Sequence, residues 1–206
     1  MSVKLITGTV ASQELGIDTN GNISVVDGLA QLPAAGGYYT VAGQTSAVVA
    51  ATLAANTTLM SARFSAGSSR KAYVTKFRTL IGVGTVGASA VISGTLGLQR
   101  FSTATPTGGT ARTPNENDEA ASATDMTDVR DSNAALTVTS VVFGNVVGVT
   151  LVPMFITSGA MWLEWIFEPN YPIKLNAGDG LCLRTQVVMP ATQTWMFNYT
   201  MHWFEK

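Results

Sequence analysis

The C-terminal stretch QTWMFNYTMHWFE alternates large apolar and polar residues with a period of two. Trp195, Phe197, Tyr199, Met201 and Trp203 fall on one face, while Asn198, Thr200 and His202 fall on the other. That period is the mark of a half-buried strand. Five large side chains on one face imply a strand held in the middle of the sheet packing. Upstream, β-branched runs are separated by Gly, Pro, Asn and Ser at the spacing of an all-β sandwich or barrel. The pattern predicts strands near 47–53, 58–64, 71–82, 88–101, 135–143, 146–156, 160–168, 172–176, 180–188 and 193–204. Helical periodicity is confined to a weak case around 118–131.

Two stretches depart from this texture. Residues 1–40 are turn-rich, with Asn20-Gly21, Asp27-Gly28 and Gly36-Gly37 as reversals. Between them VKLITGT and NISVV form short strands. The segment has too few large apolar residues for a core, so it is read as an N-terminal arm or as padding on a 41–206 sandwich. Residues 102–133 are the longest weakly hydrophobic stretch and hold six of the thirteen acids. They are read as a long polar loop, of the kind that serves as a lid, a binding loop or an assembly contact.

Composition narrows the function classes. Of the 206 residues, 46% are hydrophobic and 12% charged, the latter about half the usual share. A surface this neutral fits one that copies of the chain or other subunits cover. A net charge of −1 gives no electrostatic footprint for nucleic acid or an anionic membrane. The apolar stretches VVAATLAA and AMWLEWIF fall short of the roughly 18 residues of a membrane span. MSVKLITGTVAS lacks the basic-then-apolar pattern of a secretory signal. The lone Cys182 fits folding in a reducing cytosol.

The candidate chemistry is thin. In NAGDGLCLR, Asp179 precedes Cys182 by three residues, but the pattern reads as a hairpin turn, with Asp179 bonding turn amides and Cys182 a small buried hydrophobe. Leu181 and Leu183 share one face of the strand that follows, and Cys182 and Arg184 the other. His202 is the chain's only histidine. It lies on a strand face with Asn198 and Thr200, so no nucleophile–base pair is evident. One His and one Cys twenty residues apart match no zinc spacing. Glu164 and Glu168 fall ~13 Å apart on one strand face, too far to work together as glycosidase carboxylates. Asp125, Asp128 and Asp131 recur every third residue, which suits either a calcium ion or a solvated face paired with Arg130. GVGTVGAS mimics a phosphate loop but runs into a strand rather than a helix. The expectation is a non-enzymatic protein with no catalytic residue, cofactor or metal site.

Several segments carry a resemblance: RKAYVTKFRTLI, GTLGLQRFS, TGGTARTP, MTDVRDSNAALT and the closing YPIKLNAGDGLCLRTQVVMPATQTWMFNYTMHWFE. Together they resemble virion structural proteins of tailed bacteriophages. The shared features are a P-x-x-L-x-x-G-[DE]-G-L-x-x-R hairpin and an aromatic last strand ending W-x-E. The resemblance covers about residues 40 to 206 and brings no catalytic motif. It implies an antiparallel β-sandwich of jelly-roll type with an extended N-terminal arm. It also implies a capsid decoration or cement subunit, made in the bacterial host cytoplasm, that stabilises the phage head by contacts with the major capsid protein. A homotrimer would match capsid symmetry. The alternative is a fibre or tail-associated receptor- or carbohydrate-binding module, for which Trp162, Trp165 or Tyr171 would form the platform.

Overall fold

β-Branched and aromatic runs set the strands, and glycine and polar turns set where the chain reverses. A computed structural model describes residues 13–17, 23–27, 37–46, 48–49, 53–85, 92–102, 104–117, 123–139, 145–154, 160–167, 171–189 and 194–206. The chain divides into two compact units, Met1–Ala34 and Ala35–Lys206. The first contains an antiparallel pair, β1 (Gln13–Ile17) and β2 (Ile23–Asp27), in a register that sets Ile17 opposite Ile23. The second strand matches the expected NISVV; VKLITGT lies outside the described residues.

The second unit contains β3 (Tyr38–Gln44), β4 (Val48–Val49), β5 (Thr58–Arg63), β6 (Ala72–Thr85), β7 (Ile92–Ser102), β8 (Thr107–Arg112), β9 (Asn115–Glu116) and β10 (Asp128–Thr137). It continues with β11 (Asn145–Met154), β12 (Ala160–Ile166), β13 (Ile173–Leu175), β14 (Asp179–Thr185) and β15 (Thr194–Glu205). There is no helix among the described residues. One sheet has the order β11-β7-β14-β5-β10-β8. The other has the order β12-β6-β15-β3-β9, with β13 also paired to β6 and β4 to β15.

The pairing has a simple logic. β3 pairs β15, β5 pairs β14, β6 pairs β12 and β7 pairs β11, all antiparallel. This is the ladder of one long hairpin, with its outermost strands paired first and its innermost last. The ladder is rolled so that successive rungs fall in alternate sheets, and it is closed by β6–β15 and β7–β14. That connectivity makes the domain an antiparallel β-sandwich of jelly-roll type. Its core lies between the sheets. Val41, Phe77, Ile81, Trp195, Phe197, Met201 and Trp203 come from one sheet, and Leu59, Met60, Leu96, Leu98, Leu181 and Leu183 from the other. Tyr39 stacks on Trp203 at 5.7 Å, and Trp165 tilts against Phe77 at 5.7 Å.

The polar stretch 102–133 is not a loop. It contains β8, β9 and the start of β10, inserted between the adjacent strands β7 and β11. β10 pairs β5 and β8 pairs β10, while β9 pairs β3, so the insertion lengthens both sheets on the same flank. The weak helical pattern at 118–131 ends in this strand; residues 118–122 lie outside the described set. Sequence misled here because β10 opens as DVRD, whose charges are neutralised by arginines rather than exposed, and because β8 holds two glycines. The insertion also places Ala104 and Val138 against Phe101 and Cys182, where they form a second small apolar cluster.

NAGDG is not a hairpin turn. β13 pairs β6, whereas β14 pairs β5 and β7 in the opposite sheet, so the turn carries the chain between layers. Gly178 takes a φ of 82° at this turn. A Cβ on Gly180 would lie 2.2 Å from a Phe101 ring carbon and 2.6 Å from the Ala62 carbonyl oxygen, so only glycine fits there.

β15 is central in its sheet, with β3 and β4 on one side and β6 on the other. Deleting residues 197–206 removes the middle of that sheet together with Phe197, Tyr199, Met201 and Trp203. The expected outcome is a chain with no cooperative thermal transition; a sigmoidal melt followed by near-UV circular dichroism would contradict it.

Candidate functional site

The residues singled out by sequence do not converge. Cys182 lies on the outward face of the β14 sheet, under Ala104 and Val138, and is fully buried. Burial pushes its thiol up to about 12, against a small opposing pull from Arg184. A thiol held protonated in an apolar pocket is a poor nucleophile. His202 is half-buried on the outward face of the other sheet, opposite Lys76 on β6. Burial, then Lys76 and Arg78, lower its pKa. The only histidine and the only cysteine therefore sit on opposite outer faces of the sandwich.

Glu164 is held by Lys76 at 2.6 Å and by the Arg78 guanidinium, and hydrogen bonds from Arg78 and then Lys76 lower its pKa. Glu168 lies outside the described residues. The three aspartates spaced by three also part company. A spacing of three on a strand puts Asp128 and Asp131 on opposite faces. Each aspartate takes a different arginine. Asp125 pairs with Arg70 at 2.8 Å, Asp128 with Arg130 at 2.5 Å, and the fully buried Asp131 with Arg112 at 2.5 Å. Among the described residues no cluster of three His, Cys, Asp or Glu could hold a metal ion. Asp179 accepts hydrogen bonds from the Asn176 backbone N–H at 3.0 Å and side-chain amide at 3.2 Å, and pairs with Arg100 at 3.1 Å. Its role is to hold the inter-sheet turn.

A polar network joins the insertion to the C-terminal strand. Arg70 binds Asp125 and also reaches Glu205, fully buried, at 3.2 Å. Glu205 further accepts hydrogen bonds from the Trp203 indole N–H at 3.0 Å, the Asp125 backbone N–H at 3.1 Å and the Thr124 hydroxyl. Ser68 donates to Asp125 at 2.5 Å. A hydrogen bond from Arg70, supported by Ser68, holds the Asp125 carboxyl below its usual range despite its partial burial.

What remains for recognition is surface. Trp162 is 63% exposed, Ile166 67% and Tyr171 77%, whereas Trp165 is buried. Trp162, Glu164 and Ile166 alternate along the outward face of β12, opposite Leu80, Arg78 and Lys76 of β6. At one end of the sandwich Val187 and Val188 are exposed as well. Sequence reasoning missed these two valines, because an apolar pair beside a strand gives no signal of its own exposure. Among the described residues no helix is long and apolar enough to cross a membrane. No protein-family model, curated protein or solved structure matches this chain.

Native protein should react with a thiol reagent far more slowly than the same protein in denaturant, because Cys182 must be uncovered first; equal rates would contradict the burial. Arg70→Met leaves Glu205 buried without its cation and should cost about 3 kcal/mol at neutral pH. Asp125→Asn, at a partly exposed site, should cost about 1 kcal/mol. Because the folded-state pKa of Asp125 is depressed, its contribution is complete above the unfolded carboxylate range near ~4 and is lost as pH falls below it. Denaturant melts of wild type and Asp125→Asn should therefore converge as pH drops through that window.

Proposed function

We propose that the chain is a non-enzymatic virion structural subunit, a capsid decoration or cement protein of a tailed bacteriophage that works by contact with the major capsid protein and with copies of itself. The observation that carries this reading is the jelly-roll sandwich in which Asp125, Asp128, Asp131 and Asp179 are ion-paired and Cys182 is buried, while the large hydrophobic side chains Trp162, Ile166, Tyr171, Val187 and Val188 are exposed. A subunit of this kind acts by covering area at seams between other subunits, and many copies at modest affinity add up to a large resistance to opening. The low charge content fits that use, and so does the resemblance of the 40–206 segments to phage structural proteins. The Met1–Ala34 unit is the arm in this reading. A lone two-stranded hairpin is marginal in water and gains most from packing against a partner.

A second reading has one observation in its favour: Trp162 and Tyr171 are exposed, as a carbohydrate- or receptor-binding module requires. Trp165, the third ring named for such a platform, is in the core.

Mass spectrometry of purified virions whose genome encodes this chain should find it in many copies. A chain lacking residues 2–34 should fold but no longer co-sediment with capsids. Absence from virions, together with glycan-array binding that Trp162→Ala abolishes, would replace the first reading with the second.

A further inference from the structure

The register lays out the outward face of the β12-β6-β15-β3-β9 sheet in rows. Trp162 lies beside Leu80 of β6 and Asn198 of β15, and Glu164 lies beside Arg78 and Thr200. Ile166 lies beside Lys76 and His202 in the next row, and near the start of β6 Lys174 of β13 lies beside Tyr73. These side chains alternate along their strands with Phe77, Ile81, Phe197 and Met201 of the core, so they point away from it. From the Trp162 row to the Ile166 row the face spans roughly 13 Å along the strands, and from β12 to β15 roughly 10 Å across them.

Glu164 organises the cations of this face without consuming them. Its Oε1 accepts from the Arg78 Nε–H and pairs with the Lys76 ammonium at 2.6 Å. That bond leaves the terminal N–H groups of the Arg78 fork and the remaining Lys76 donors to other acceptors, and among the described residues neither side chain has a second ion pair. The Arg78 side chain is 44% exposed, and Lys174 is exposed as well. Among the described residues Lys76, Arg78 and Lys174 thus outnumber the one carboxylate that shares their face. One row away stands the Trp162 ring, 63% exposed. Leu80 lies half-buried at its side, and Asn198 and Thr200 are half-buried on the strand beyond.

We propose that this face binds a carboxylated carbohydrate, with the Trp162 ring against the C–H face of one sugar, Arg78 and Lys76 on the carboxylate, and Asn198 and Thr200 on hydroxyl groups. An indole ring offers flat apolar area to a sugar ring. The free end of a guanidinium matches a carboxylate as a planar fork, and one already held by Glu164 loses little freedom on contact. Charge density selects the carbohydrate over a nucleic acid, which brings a phosphate at every nucleotide and would set several of them against Glu164. A carboxylated glycan spaces its charges with neutral hydroxylated rings, which suit Asn198 and Thr200. An anionic bilayer would have to take in Trp162 and Ile166 with the Glu164 carboxylate between them. Such a site rests on the carbohydrate-binding reading, to which it gives a ligand class and a set of contacts.

The experiment applies the full chain to an array of carboxylated and neutral glycans, then titrates the strongest carboxylated binder and its methyl ester, which keeps the rings and removes the charge. Wild type should bind carboxylated glycans, and the ester should bind about ten-fold more weakly. Arg78→Gln should lower affinity for the acid by about the same factor and leave the ester unaffected. Trp162→Ala should lower both, and Val188→Ser, at an exposed position beyond β14 in the other sheet, should lower neither. Near-UV circular dichroism checks that each variant is folded. Binding to no carboxylated glycan, equal binding of acid and ester, or Arg78→Gln binding like wild type would overturn the proposal. Neutral glycans bound through Trp162 would overturn it while keeping the carbohydrate-binding reading. Binding to phosphatidylserine vesicles or to oligothymidylate in place of any glycan would overturn it too, and would assign the face to lipid or to nucleic acid.

Discussion

The fold depends on β15 having a partner on each side. It is the only strand in its sheet that pairs both with the first strand of the rolled hairpin, β3, and with β6, its neighbour across the closure. Its inward face carries Trp195, Phe197, Tyr199, Met201 and Trp203 without interruption. Hydrophobic burial at this one element therefore holds together strands that are far apart in sequence. Such a topology is rich in long-range contacts, because β15 pairs with strands more than a hundred residues earlier in the chain.

Charge is placed to serve the same end. Arg70, Asp125, Glu205, Trp203 and Ser68 form one network linking the inserted segment to β15. Arg112 pairs with buried Asp131, and Tyr199 lies in the field of both. Burial, then Asp131, pushes the Tyr199 phenol up, with Arg112 opposing, and its ring crowds Gly43 so closely that a side chain there would collide. The Arg70 network ties the insertion to the body and the Arg112–Asp131 pair joins two strands within it; buried pairs of this kind cost heavily when one partner is removed.

Much of this architecture was legible in the sequence, and the reasons differ by element. β15 was legible because its alternation is long and its residues are large. The runs at 58–64, 71–82 and 146–156 were legible as β-branched strands bounded by turns. β3 was missed because YYTVAGQ opens on two adjacent tyrosines and ends in small and polar residues, which blurs its alternation. The insertion was missed because pairing between charges is a tertiary fact: DVRD reads as solvated until Arg63, Arg112 and the β5 edge are beside it. NAGDG was recognised as a turn, but pattern alone does not say whether a turn joins neighbours in one sheet or passes between two. On the side of chemistry, sequence reasoning saw that Asp179 serves a turn and that Cys182 is a small buried hydrophobe. It could not see that the Asp125, Asp128 and Asp131 triad is divided among three arginines.

The chain joins and leaves the sandwich at the same place. The Glu205 N–H donates to the Gly37 carbonyl at 3.1 Å, and Lys206 and Lys71 exchange backbone hydrogen bonds at 2.7 and 3.0 Å. A short linker from Lys206 to Gly37 would thus close the domain into a ring with little strain, and termini this near each other are the usual condition for circular permutation. New ends opened at the exposed Ala54–Asn56 turn, which lies between strands, would leave every strand pairing of the rolled hairpin intact.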